Sequence, residues 1–178
     1  HPPKMRELMI IAKKFNLIVL EDAAEALGSF YSGRHAGTFG KIGTLSFNGN
    51  KIITTGGGGA ILTNSKKIYE KIKKIISNGK KFHRWKFIFD EIGYNYRLPS
   101  LNSAIGISQI KNLKIILKKN RSLYNEYNKF FASIDGIIVK KEPKFCKSNY
   151  WLQTLILEKN LKSKRDIIIK KFIINKIE

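Results

Sequence analysis

The segment from Lys4 to Asp22 narrows the fold more than any other stretch of the chain. In "KMRELMIIAKKF", residues 4–15, Met5, Leu8, Met9 and Ala12 fall on one face at helical spacing, which predicts a helix. Asn16 reads as its stop. "LIVL", residues 17–20, is a short apolar run, the pattern of a strand buried on both faces. Glu21 and Asp22 follow at once. A helix, a short connection, a buried strand and then a carboxylate at the strand's carboxyl end predict an α/β sheet, in which ligands bind at that end.

The remaining punctuation extends this reading. Residues 28–43, rich in glycine and aromatics, read as irregular connection. "TLSF" (44–47) and "GAILT" (59–63) read as strands. "SKKIYEKIKKIIS" (65–77) predicts a helix capped by Ser65, with Ile68, Ile72, Ile75 and Ile76 on one face. Residues 78–99 form a long loop of aromatics and charge, and Pro99-Ser100 opens a long helix to about residue 132. "GIIVKKE" (136–142) and "YWLQTLILE" (150–158) read as strands, and the last segment as a helix. The long helix is the candidate boundary between two lobes.

Composition bounds the function classes. With 178 residues and 43% hydrophobic residues the chain has material for a core. One cysteine, Cys146, excludes an internal disulfide framework and a cysteine-based zinc cluster, and suits a reducing compartment. No apolar run reaches the roughly 18 residues of a membrane span. The formal net charge of +21 invites a nucleic-acid reading. The lysines are spread along the whole chain, however, so the charge reads mostly as solvated surface. A start at His-Pro-Pro and an end inside a Lys/Ile-rich stretch read as a fragment of a longer protein.

Several catalytic motifs are absent. No Gly-Lys pair precedes Ser or Thr, so there is no P-loop. Ile61 stands where a dinucleotide fingerprint starting at Gly56 needs glycine. His1, His35 and His83 lack helical metal-ligand spacing, and there is no serine nucleophile elbow. What remains is Asp22 at a strand end, Ser46 and Lys51 five residues apart, and the run Gly56–Gly59. A lysine amine whose pKa is lowered by burial or a nearby cation can form a Schiff base with an aldehyde. Pyridoxal phosphate (PLP) uses such a lysine together with an acidic partner for its pyridine nitrogen. A surface lysine, a helix-capping aspartate and an ordinary glycine loop account for the same residues, so spacing alone does not single out that chemistry.

The quoted blocks go further. "EDAAEALGSFYSGRHAGTFGKIGTLSFNGNKIITTGGGGAILT" closely resembles the central block of the DegT/DnrJ/EryC1/StrS aminotransferases, and "DEIGYNYRLPSLNSAIGISQI" resembles their second signature block, in the same order and at similar separation. The resemblance runs over almost the whole chain. It implies an α/β fold: part of the large domain of a fold type I (aspartate aminotransferase-like) PLP-transferase with a mixed sheet, followed by the start of an α+β small domain. Residues 1–120 would be the C-terminal part of the PLP-binding large domain and 121–178 the incomplete beginning of the small domain.

The resemblance also implies roles. Lys51 would be the Schiff-base lysine and proton shuttle, Asp22 the partner of the pyridinium nitrogen, and Ser46 a hydrogen-bond partner of the cofactor phosphate. Asn95 would reach the phosphate of the neighbouring subunit's cofactor, implying a homodimer with shared sites. Arg97 shares that motif without a defined role. Glu25 departs from the Gln or His that many members carry near the cofactor's ring hydroxyl, and a carboxylate there requires a proton or a compensating cation. The implied activity moves an amino group, from L-glutamate, to a nucleotide-linked 4-keto-6-deoxy sugar in a cytoplasmic pathway of cell-surface sugar synthesis. "HRWKFIFDEIGYNYRLP" and its companions resemble the legionaminic acid-type branch. No membrane and no specific nucleic acid partner is implied.

The alternatives are a catalytically inactive truncated remnant, a basic nucleic-acid-binding domain, and a dehydratase of the same family with histidine at position 51, which Lys51 disfavours. The family's N-terminal phosphate-binding Gly-Thr segment and ring-stacking residue have no counterpart here. The resemblance therefore implies a half-built site and, for the isolated fragment, little or no activity and poor folding through unpartnered sheet edges.

Overall fold

The computed structural model describes residues 1–177. Helix α1 (Met5–Lys14) buries Met5 and Ala12, and Asn16, in the left-handed region at φ 51°, ends it while Leu17 N–H returns to the Ala12 carbonyl. The chain then runs through β1 (Leu20–Asp22), β2 (Phe30–Tyr31), β3 (Arg34–His35), β4 (Ile42–Ser46) and β5 (Gly59–Leu62) to α2 (Lys66–Ile75). Ser65 caps α2 as its residue type predicts, its Oγ accepting from Ile68 N–H at 3.4 Å. Strands β6 (Lys80–Lys81) and β7 (Ile88–Phe89) form a small hairpin within the segment expected to be loop. The 32-residue α3 (Ser100–Phe131) matches the expected long helix. Strands β8 (Ile137–Val139), β9 (Cys146–Lys147) and β10 (Leu155–Leu157), a short 3-10 turn and α4 (Arg165–Ile174) complete the chain.

A mixed sheet of order β1-β4-β5 positions the candidate site. β4 runs parallel to β1, with Asp22 opposite Thr44, and antiparallel to β5, with Ser46 opposite Gly59. Gly43 lies inside β4, and a Cβ there would collide with the Gly37 backbone carbonyl, so this crossing of loop over strand requires glycine. Glu21 serves that loop: its carboxylate accepts from Gly37 N–H at 2.7 Å and Gly40 N–H at 2.5 Å.

Three expectations need correction. The run 17–20 is not a buried strand: only Leu20 joins β1, and Ile18 is 77% exposed. Leu17 and Leu20 are exposed as well, so the apolar side chains of the run lack a full covering layer among the described residues, and β1 pairs on one edge only. Residues 150–158 are not one strand either. β10 begins at Leu155, and the preceding "NYWLQ" turns back onto the first half of the chain. Within 28–43 the chain also forms the short β2–β3 hairpin, to which β9 adds as a third strand.

The second half packs around Tyr124, Val139 and Tyr150, with Phe131 and Leu155 against them, and the two tyrosine rings stack at 4.2 Å. No helix among the described residues is long and apolar enough to cross a membrane.

Candidate active site

The carboxyl ends of the parallel pair β1 and β4 carry Asp22 and Ser46, and Lys51 stands on the loop that follows β4. That loop is tied down. Phe47 N–H donates to the Gly58 carbonyl at 2.9 Å, Thr55 N–H donates to the Phe47 carbonyl at 3.0 Å, and Asn102 Nδ2 donates to the Thr55 carbonyl at 2.6 Å. Gly58 closes it at φ +97°, where a Cβ would press on Leu98 at 2.6 Å. The glycine run is thus explained first by loop closure.

Held this way, the Lys51 side chain is only 15% exposed, although lysine normally keeps its ammonium in water. Its Nζ lies 3.5 Å from Glu25 Oε1 and 4.4 Å from the centroid of the Trp151 ring. Lys51 is the cation paired with the Glu25 carboxylate. Glu25, at 67% exposure, carries most of the pair's contact with water.

Asp22 is exposed, and its Oδ1 accepts from Ala24 N–H at 3.1 Å. With Glu25 it lines a cavity of about 490 Å³ whose walls include Met5, Leu8, Leu20 and Ala36. Lys51 is not on that lining, and Glu25 joins the two groups by facing the cavity and reaching the amine. Ser46 lines a different cavity of about 750 Å³, together with Thr44, Tyr96 and Arg97, and its Oγ accepts from Asn48 N–H at 3.4 Å. Asn95 is exposed and makes an isolated β-bridge with Ser77, and Tyr94 and Tyr96, which flank it in sequence, stack on each other. The structure therefore brings Lys51 and Glu25 together, sets Asp22 beside Glu25, and leaves Ser46, Arg97 and Asn95 outside that group.

Sequence reasoning missed two residues. Asn149 is 5% exposed, and its Nδ2 donates to the carbonyls of Glu25 (2.8 Å) and Leu27 (3.0 Å) while its Oδ1 accepts from Trp151 N–H (3.1 Å). Trp151 Nε1 donates to the Asn50 carbonyl at 2.8 Å, next to the lysine. "YWLQTLILE" reads as a strand from Tyr150, so no local sequence pattern marks Asn149 or Trp151 for another task.

Other reactive types serve turns or packing. His35 Nε2 accepts from Gly28 N–H at 2.8 Å, and His83 Nδ1 accepts from Trp85 and Lys86 N–H. Burial pushes the Cys146 thiol up, which disfavours a thiolate. No group of three metal-ligating side chains occurs among the described residues.

The profile of the DegT/DnrJ/EryC1/StrS aminotransferase family matches residues 1–178. The chain belongs to this family. Among curated DegT/DnrJ/EryC1/StrS relatives, GDP-perosamine synthase of Escherichia coli O157:H7 is 40% identical over 156 residues, 88% of this chain and 42% of the relative. EpsN of Bacillus subtilis, whose name carries pyridoxal phosphate dependence, is 38% identical over 167 residues, 93% of this chain and 42% of the relative. Among solved structures, Helicobacter pylori PseC, an aminotransferase involved in the biosynthesis of pseudoaminic acid, superposes with a TM-score of 0.89 at 27% identity, over 98% of this chain and 47% of PseC. The chain thus spans less than half the length of these relatives.

Proposed function

We propose that the chain is part of a PLP-dependent aminotransferase that moves an amino group, from L-glutamate, to a nucleotide-linked 4-keto-6-deoxy sugar. The observation that carries this reading is one half-buried amine, Lys51 Nζ, set between a carboxylate and an aromatic face just beyond the strand ends that bear Asp22 and Ser46.

The side chains suit PLP by their chemistry, although Asp22 and Ser46 line separate cavities and Lys51 lines neither of these. Lys51 supplies the amine and Asp22 an exposed carboxylate with one oxygen engaged in a turn and the other without a hydrogen bond among the described residues. Ser46 Oγ accepts a single long hydrogen bond, which leaves its O–H to donate to a phosphate. Bound there, PLP supplies an aldehyde carbon for an amine and a ring that accepts electrons when its nitrogen is protonated. Asp22, as a carboxylate, would hold a proton on that nitrogen. Lys51 Nζ would take and return the proton that moves between donor or acceptor carbon and cofactor, and Glu25 and Trp151 stabilise its charged form between transfers. Asn95, exposed beside Arg97, suits a contact across a twofold axis, and a homodimer would also cover exposed apolar residues such as Phe87 and Leu101.

The test uses the protein at its natural length with added PLP. A visible absorbance band that borohydride removes, leaving a pyridoxyl group on the Lys51 peptide by mass spectrometry, is the expected result. Lys51→Ala should give neither band nor adduct. A wild-type protein with no band and an unmodified Lys51 refutes the reading.

A further inference from the structure

Lys51 is held by two side chains from distant parts of the chain. Glu25 comes from the turn after β1, 26 residues before the lysine, and Trp151 comes from the second half, 100 residues after it. Neither contact is casual. The Glu25 backbone carbonyl accepts from Asn149 Nδ2, and the same asparagine accepts from Trp151 N–H. One buried amide therefore fixes the spacing between the carboxylate and the ring. Asn149 N–H also donates to Ser29 Oγ at 3.0 Å, and Ser29 is buried. On the other side, Trp151 Nε1 grips the carbonyl of Asn50, so the ring is anchored to the residue preceding the lysine.

The segment that delivers the ring is itself anchored. Arg121 of α3 forms a two-pronged ion pair with Glu142 at 2.8 and 3.0 Å, and donates to the Ser148 carbonyl at 3.1 Å. Ser148 N–H donates to Glu142 Oε2 at 2.6 Å.

We propose that Trp151 is a positioning residue that, with Glu25, forms a cradle aiming the Lys51 amine. A ring face attracts an ammonium through its quadrupole, and a face anchored by its own N–H restricts where that ammonium sits. The carboxylate supplies charge and the ring supplies direction. Because Trp151 and Asn149 lie beyond α3, the second half of the chain sets the orientation of a group on the first half. This proposal takes from the aminotransferase reading only that Lys51 is the working amine.

The test is made on cofactor-free protein at its natural length. Lys51 is acylated with a small amine-directed reagent at fixed pH, and each lysine-bearing peptide is followed by mass spectrometry. Tryptophan is replaced biosynthetically by 5-fluoro-, difluoro- and trifluorotryptophan, which weakens the ring's negative face with little change of shape. The rate at Lys51 should rise stepwise across the series, reaching about two- to tenfold once the attraction is lost. Lys73, whose amine faces the Tyr69 ring and not a tryptophan, should stay constant.

Trp151→Phe, which keeps a ring face but is weaker and loses the Nε1 anchor, should give an intermediate rise at Lys51, and Trp151→Leu a larger one, both selective. A flat fluorotryptophan series overturns the proposal, as does a rise shared by Lys73. Equal rates in Trp151→Phe and Trp151→Leu overturn it too. If Trp151→Leu does not fold, the fluorotryptophan series and Trp151→Phe still decide. Absence of the borohydride-trapped adduct in the wild type defeats the aminotransferase reading and leaves these rates to be judged alone.

Discussion

Replacing Asn149 by leucine tests whether one buried amide couples the two halves of the chain. Leucine preserves the approximate volume and removes three hydrogen bonds: to the Glu25 carbonyl at 2.8 Å, to the Leu27 carbonyl at 3.0 Å, and from Trp151 N–H at 3.1 Å. Each is worth about 1 kcal/mol net, and a buried partner left unpaired costs about 1–3 kcal/mol. Glu25 is exposed and Trp151 half-buried, so water can reach part of what is orphaned. About 3 kcal/mol is the resulting expectation, a large share of a typical stability of about 5–15 kcal/mol. Because the loss is local, native-state hydrogen exchange is the suitable assay. The amides of Ser29 and Ala36, which close the turn beside Asn149, should exchange roughly a hundredfold faster, since about 1.4 kcal/mol corresponds to a factor of ten. Acceleration below about threefold at those amides would show that Asn149 is not the coupling element.

Three further outcomes follow from the same geometry. Asp22→Asn should weaken PLP retention by about ten- to a hundredfold, because a neutral amide replaces the charge-assisted bond expected at the ring nitrogen; equilibrium dialysis followed by absorbance reads this. Burial pushes the Glu142 carboxyl up, but the Arg121 bonds and the Ser148 N–H outweigh it, and it lies below its ordinary value of 4.5. A lowered folded-state value means the stabilisation is present above the ordinary value and lost as pH falls through the folded one. Acid should therefore release the Ser148–Trp151 segment, and Glu142→Gln should flatten that limb of a fluorescence-monitored pH titration. Gly43→Ala should cost about 3 kcal/mol or more, since a methyl would meet the Gly37 backbone and not a flexible side chain, and a fall in thermal midpoint measures it.

Local pattern made much of this chain legible. The periodicity of α1, the Ser65 cap and the Pro99-Ser100 opening of α3 were readable because each rests on contacts within a few residues. The carboxylate at a strand's end and a lysine ahead of a glycine run were legible for the same reason, and the quoted blocks carried the family. The Leu17–Leu20 run misled because an apolar sequence reports a preference for burial and not the presence of a covering layer.

What lay beyond the sequence was every relation across long separations. Residue types identified Lys51, Asp22 and Ser46 as candidates and the resemblance added Glu25, yet pairing Lys51 with Glu25, and separating Ser46 from the cavity beside Asp22, required the side-by-side pairing of β1 and β4. Trp151 and Asn149 carry no motif, and their roles arise only when a segment beyond α3 folds back onto the β1 turn. The order of residues determined which groups could do chemistry, because reactivity is a property of the side chain. Their distances, partners and exposure were decided by tertiary packing, because hydrogen bonds and ring faces act over a few ångströms and do not depend on separation along the chain.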